Sequence, residues 1–378
     1  MKEYNRIIII VLSSFLSLTT ACNTRKSSSK DSNVALLKKI DSLAEKSTNE
    51  GFNGNILIAK DGNVIFHKTY GNNKMGTKAA FWVGSISKQF TASAILKLHD
   101  NNKLSVNDSI SRFVENVPVD KAKITIHHLL THTSGLANDY SVDGIINREE
   151  ALDIILSAPL KSNVGEKFNY SAEGYNLLAI IVEIVSGESF EDYVSKNILS
   201  PANLGNTGFW GDNDKKSEYV TDFKNVDMMK SFLPTIYKEG MSIQNYGYKG
   251  ATGIYSTAED LYKWIGAIKD NSILKKHSVD QQFTPHSNVR GDTVNGTFYG
   301  YGWFMQYEEG DLKEIRHGGA EDGAVGHNAM IRFYDNGNII IVLSNTGQYN
   351  GKGRLNGVEW STVLSIGIRD IMVGSNKN

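Results

Sequence analysis

The chain has 378 residues, 40% of them apolar and 21% charged, which is ample material for a packed core and places it among ordinary folded proteins. Its 40 Lys and Arg balance 41 Asp and Glu, and no long basic run stands out, so nucleic acid is not an expected partner. The single cysteine, Cys22, excludes an intrachain disulfide and a metal site built from several thiolates.

The N-terminus reads as an export signal over residues 1–21. Lys2 and Arg6 precede the apolar run Ile7 to Leu12, which continues through Phe15, Leu16 and Leu18 and stops at Ala21, too short and too polar for a transmembrane helix. Its end, Leu18-Thr19-Thr20-Ala21-Cys22, resembles the lipobox of a bacterial lipoprotein, with small residues just before the cysteine. The expectation is lipidation of Cys22, an anchor in the lipid bilayer, and a place in the bacterial cell envelope. A signal peptide that merely contains a cysteine is the plainer alternative. Residues 22–33 are polar and serine-rich and read as a flexible tether. One folded domain is expected over 34–378.

Val34, Leu36, Leu37, Ile40, Leu43 and Ala44 recur at helical spacing. Asn55 to Ala59 and Val64 to His67 alternate as strands around Asp61-Gly62, a pair suited to a hairpin turn. Phe81-Trp82-Val83-Gly84 then leads to Ser85-Ile86-Ser87-Lys88, opening a helical run to about Asp100. Residues three apart on a helix share a face, so Ser85 and Lys88 point into one small volume at the helix start. A serine hydroxyl needs a nearby base to become a nucleophile, and a lysine serves when burial or the helix dipole lowers its pKa. First-turn backbone N–H groups are free to stabilise an oxyanion. Alone, four such residues equally describe an N-cap serine and a solvated lysine.

From about 101 to 244 the pattern is mostly helical. It includes Ile124 to Leu136, broken at Gly135, then Arg148 to Ala158, Gly174 to Ser186 and Ser189 to Asn197. Thr257, with Asp260 three residues on, caps a further helix. Strand character follows at Tyr301 to Met305, Leu312 to His317, His327 to Phe333 and Ile339 to Leu343, with Asp335 to Asn338 as the turn between the last two. Glu359 to Val373 reads as a final helix on the sheet. Strands near both ends with helices between them imply an α/β (α+β) fold: an antiparallel sheet flanked by helices, built from both chain ends, with an all-helical subdomain inserted.

Three more stretches, Leu129 to Leu136, Phe168-Asn169-Tyr170-Ser171-Ala172-Glu173-Gly174-Tyr175 and Arg316-His317-Gly318-Gly319-Ala320, join Ser85-Ile86-Ser87-Lys88 in a pattern. In this order they resemble the serine hydrolases of the class C β-lactamase, D,D-peptidase and family VIII esterase superfamily. Ala251 to Asp260 and Tyr299 to Trp303 are similar to the family but less specific. The resemblance implies a β-lactamase/transpeptidase-like fold and an acyl-enzyme on Ser85, with Lys88 sharing or relaying the serine proton. Tyr170 would match the tyrosine of the family's Tyr-x-Asn and act as general base. A free phenol ionises at about pH 10, so that role requires a neighbouring cation. His317-Gly318-Gly319 would match the Lys-Thr-Gly strand, and the backbone N–H of Ala320 would join that of Ser85 in an oxyanion hole.

Two departures matter. The motif asparagine is Ala172, and the motif lysine is His317, a group expected to be only partly charged near neutral pH. Both weaken the case for a true β-lactamase. Gly318 and Gly319 are expected to let substrate approach the strand closely.

His128 and His132 have the four-residue spacing of zinc-binding helices, but Leu129 replaces the glutamate, and no metal or other cofactor is expected. These histidines read as braces, His327 as structural, and Glu173 and Glu259 as surface or capping carboxylates. The expectation is an exported serine hydrolase that cleaves an ester or D-peptide-like amide in a small-molecule or peptide substrate. The alternatives are a true β-lactamase and a penicillin-binding sensor that acylates without turnover.

Overall fold

The computed structural model describes residues 33–71, 76–209, 245–320, 327–346, 348–349 and 358–374. The export signal, Cys22 and nearly all of the tether lie outside them, as do residues 210–244 of the expected helical segment.

In chain order, helix α1 (residues 33–49) is followed by strands β1 (Gly54–Lys60), β2 (Asn63–Tyr70) and β3 (Phe81–Trp82). A 3₁₀ turn at Gly84–Ile86 runs directly into α2 (Ser87–Asp100). Helices α3 (Ile126–Leu130), α4 (Arg148–Ser157), α5 (Ala172–Ser186) and α6 (Phe190–Val194) come next, and α6 continues as a π-turn over Ser195–Leu199. After β4 (Gly208–Phe209) and β5 (Ile254–Ser256) stand α7 (Ala258–Lys269) and α8 (Lys276–Gln282). The chain closes with β6 (Ser287–Gly291), β7 (Gly296–Tyr299), β8 (Phe304–Glu308), β9 (Asp311–Ala320), β10 (Asn328–Tyr334), β11 (Ile339–Ser344), the short pair β12 (Gln348–Tyr349) and β13 (Val358–Glu359), and α9 (Trp360–Gly374).

Eight strands form one antiparallel sheet in the order β2-β1-β11-β10-β9-β8-β7-β6. The β1–β11 ladder, from Gly54 opposite Ser344 to Ala59 opposite Ile339, joins the two ends of the chain. Period-2 alternation assigns each central strand to two cores. Leu57, Ala59, Ile339, Ile341 and Leu343 face the main core with α2, α5 and α7. Ile56, Ile58, Ile340 and Val342 face a smaller core closed by Leu36, Ile40 and Ala44 of α1 and by Trp360, Leu364 and Ile368 of α9. One face is therefore covered by helices from within the sequence, and the other by its first and last helices together.

The helix caps follow the sequence signals. Thr257 Oγ1 accepts from Asp260 N at 3.1 Å, Ser171 Oγ accepts from Gly174 N at 2.9 Å, and Gly187 ends α5 in the left-handed region. Two elements differ from the sequence reading. Tyr301 to Trp303 is a turn, because Gly302 has φ of +84° and its Cα lies so close to α2 that a Cβ would come within 2.9 Å of Gln89 Cα. Residues 287–299 add two strands that hydropathy does not reveal, β6 being a polar sheet edge.

Candidate active site

The site lies where the start of α2 meets the inner end of β9. Gly84, at φ +52°, turns the chain so that Ser85 enters the 3₁₀ turn immediately before the helix. Lys88 follows one turn on and has no exposed surface. Its Nζ donates to Ser85 Oγ and to the Ala251 carbonyl, each at 3.1 Å. Burial lowers the Lys88 pKa from the ordinary 10.5 to about 7, and the field of Glu173 opposes the shift. The segment holding Ala251 is tied to α2 and α5. Thr91 Oγ1 donates to Gly250 O at 2.7 Å, Ile254 N to Ser87 Oγ at 3.0 Å, and Ala251 N to Asn176 Oδ1 at 3.1 Å. Asn176 was not singled out in the sequence, since an amide inside an apolar helix carries no motif.

β9 brings the other wall. A Cβ on Gly319 would lie 2.7 Å from Ser85 N and closer still to Val83 O, and one on Gly84 would lie 3.0 Å from Ala320 N. The turn at Ser85 thus requires a glycine at 319, a reason the sequence did not offer. The same packing brings the Ser85 and Ala320 backbone amides to one small region.

His317 differs from expectation. It is 1% exposed, its Nδ1–H donates to Gly318 O at 2.7 Å, and its Nε2 accepts from the Tyr299 hydroxyl at 3.1 Å. Burial, opposed by the Gly318 carbonyl and reinforced by Lys88 and Arg316, drives its pKa down to about 3. The imidazole is therefore neutral at physiological pH, and the partial positive charge expected there is absent. Tyr299, on the strand that hydropathy did not reveal, supplies half of that environment.

Tyr170 precedes the N-cap of α5 and is half-buried. Lys88 Nζ stands 4.8 Å from the centre of its ring, and the His132 ring stacks on it at 4.2 Å. Ala172 is fully buried, and its N–H donates to Asn138 Oδ1 at 2.9 Å. Glu173, read as a surface or capping carboxylate, stands in the first turn of α5 and is 2% exposed. Its Oε1 accepts from Ser141 N at 2.9 Å, and burial raises its pKa. Glu259 is exposed and pairs with Lys263 at 2.9 Å, as a capping carboxylate should.

The remaining histidines separate by role. His127 Nδ1 lies 2.8 Å from the Tyr301 hydroxyl, His128 closes the capping box of α3 with Thr125, and His327 packs edge-on against Phe81. His132 alone among them reaches the Tyr170 ring.

A buried low-pKa amine on a serine hydroxyl, with two backbone amides alongside, can support nucleophilic attack on a carbonyl. Comparison with known proteins gives a family model, Beta-lactamase, that matches residues 43–360. Penicillin-binding protein 4* of Bacillus subtilis (strain 168) is 28% identical over 329 residues, covering 81% of this chain and 70% of that protein. An octameric penicillin-binding protein homologue from Pyrococcus abyssi superposes with a TM-score of 0.69 at 26% identity, over 89% of this chain and 77% of the other. EstCE1, a hydrolase with promiscuous acyltransferase activity, shares the fold at a TM-score of 0.68 and 22% identity, over 90% of this chain and 98% of that one.

Proposed function

The chain belongs to the β-lactamase family, a family of hydrolases, and on that premise we propose that it is a serine hydrolase that cleaves an ester or a D-peptide-like amide through an acyl-enzyme on Ser85. The observation that carries the reading is the 3.1 Å contact between Ser85 Oγ and a Lys88 amine whose pKa burial brings to about 7. Ser85 Oγ attacks the carbonyl carbon, and its proton passes to Lys88, with Tyr170 beside it as partner. Negative charge grows on the carbonyl oxygen, where the Ser85 and Ala320 amides receive it. Losing one such donor typically costs about 3 kcal/mol. As the bond to the leaving group breaks, Tyr170 and Lys88 return the proton to that group. Water then adds to the ester on Ser85, and the same groups run the sequence in reverse roles.

The substrate preference follows from charge. A site built for β-lactams holds the drug's carboxylate with a cation on the β9 wall, and the neutral His317 offers none; Ala172 offers no amide. Short-chain esters need only the nucleophile, the base and the oxyanion hole. We therefore place esters ahead of β-lactams. The export signal and the Cys22 anchor complete the proposal as a cell-envelope enzyme.

The test is a fluorophosphonate or penicillin probe followed by peptide mapping, with turnover of p-nitrophenyl esters, nitrocefin and D-alanyl peptides measured in parallel. Label on the Ser85 peptide, lost together with turnover in a folded Ser85→Ala protein, is the expected result. Turnover that survives Ser85→Ala removes the mechanism. A burst that stops at one equivalent with every substrate removes the hydrolase in favour of a sensor.

A further inference from the structure

The residues on either side of Tyr170, Asn169 and Ser171, both donate their backbone N–H to one residue. The N–H of Asn169 donates to the His132 carbonyl at 2.7 Å, and the N–H of Ser171 donates to His132 Nδ1 at 3.1 Å. The His132 ring then covers the tyrosine ring, with centroids 4.2 Å apart and planes inclined by 34°. Phe168, Tyr175 and Tyr299 pack around the same imidazole at 5.6, 5.0 and 4.7 Å. His132 has no exposed surface, and its backbone is left-handed at φ +56°, an uncommon conformation for a residue with a ring. That conformation presents the carbonyl and the ring to the same neighbouring segment.

We propose that His132 is the positioning residue for Tyr170, a buried imidazole that fixes the tyrosine beside Lys88 through the backbone N–H groups of both neighbouring residues and one face of its ring. The proposal rests on the reading of Tyr170 as a proton-transfer group.

The hydrogen bonds determine the tautomer. Nδ1 accepts from Ser171, so the neutral ring carries its proton on Nε2, which is buried and makes no hydrogen bond among the described residues. Protonation at Nδ1 would set two donors against each other and place a second cation near Lys88. Burial first, then the charges of Lys88 and His317, hold the His132 pKa well below its ordinary value, which keeps the clamp closed. Ser171 carries the constraint onward. It caps α5 through Oγ and also donates to the Ala137 carbonyl at 2.5 Å, so residues 132–137 and 169–174 move as one unit. Proton transfer is sensitive to placement: a displacement of about 1 Å can cost on the order of 10²-fold in rate. A residue that only braced the fold would instead affect stability.

A double-mutant cycle decides between the two. His132→Ala removes both the acceptor and the stacked ring. His132→Asn tolerates the left-handed backbone and keeps a side-chain oxygen within reach of Ser171 N–H. Each is made alone and with Tyr170→Phe, its thermal melt is recorded, and kcat and KM are measured with p-nitrophenyl acetate. The expected result for His132→Ala is a fall in kcat of about 10²-fold with KM changed less than about threefold, partly restored by His132→Asn. In the Tyr170→Phe background the same substitution should cost less than about twofold, because the group it positions is gone. An equal fold-loss in both backgrounds overturns the proposal and leaves the assignment of Tyr170 standing, as does an unchanged kcat with a lowered melting temperature. Wild-type kcat in Tyr170→Phe overturns both. If His132→Ala does not fold, the cycle run with His132→Asn gives the same decision on a smaller effect.

Discussion

Lys249 and Lys88 are both buried, and they are buried in opposite ways. Lys249 pairs with Glu183 at 2.7 Å and with Glu191 at 3.3 Å, and its Nζ lies 4.4 Å from the centre of the Tyr246 ring. Lys88 donates instead to the neutral oxygens of Ser85 and Ala251, and Glu173 acts on it as a field rather than as a hydrogen-bond partner. The first arrangement offsets desolvation with opposite charge. The second leaves desolvation largely unopposed, which favours the neutral amine. Burial with partners builds structure, and burial without them builds reactivity.

The comparison can be broken at either lysine. The largest effect is expected from Lys249→Met, which leaves Glu183 and Glu191 facing each other without their cation. Loss of one partner from a buried ion pair costs about 3–5 kcal/mol. Denaturant unfolding should show that loss, while the kcat/KM of the folded fraction stays at the wild-type value. Next comes the cleft, where Ala172→Asn on α5 with His317→Lys on β9 restores an amide and a cation. Hydrogen bonds to charged groups are worth about 1.5–3 kcal/mol, so the ratio of nitrocefin to ester turnover should rise by roughly tenfold to a hundredfold. An unchanged ratio would mean that other walls of the cleft set the preference.

The smallest effect concerns stability against pH at Lys88. Its folded pKa is about 7 against an ordinary 10.5, so between those values the unfolded chain binds a proton that the folded chain does not. The resulting penalty on folding is complete below about pH 7 and fades as the pH rises to 10.5. Lys88→Met should therefore raise Tm by roughly 2–4 °C for each kcal/mol relieved, with a larger gain at pH 6 than at pH 10. A gain that does not depend on pH would show that the amine is not depressed.

The Lys88 side of this contrast was legible in the sequence and the Lys249 side was not, and the illegible part of the fold and site has physical causes. The Ser85–Lys88 pair, the Asp335–Asn338 hairpin and the joining of both chain ends into one sheet depend on local spacing and on alternating strands such as Ile339 to Leu343. Those signals stand in a single stretch of chain. The neutrality of His317 comes first from its burial; Tyr299, which reaches it from β7 across β8, is part of that enclosure, and sequence spacing contains no trace of the contact. Glu173 reads as solvated because acidic residues in a first helical turn usually are; α5 is so thoroughly enclosed that its first turn is buried too. Tyr301 and Trp303 alternate like strand residues, and only the left-handed Gly302 between them turns the chain aside.

The account rests most heavily on Lys88 as a neutral base at Ser85, and the pH dependence of Ser85 acylation tests that directly. The pre-steady-state burst with a p-nitrophenyl ester is followed from pH 5 to pH 9, with the acylated peptide identified at each pH. The rate should climb about tenfold per pH unit on the acid side and level off with a midpoint near the Lys88 value of about 7, with the acyl group on Ser85 throughout. A rate still rising at pH 9, as an ordinary lysine would give, or an acyl group on another residue, would contradict it.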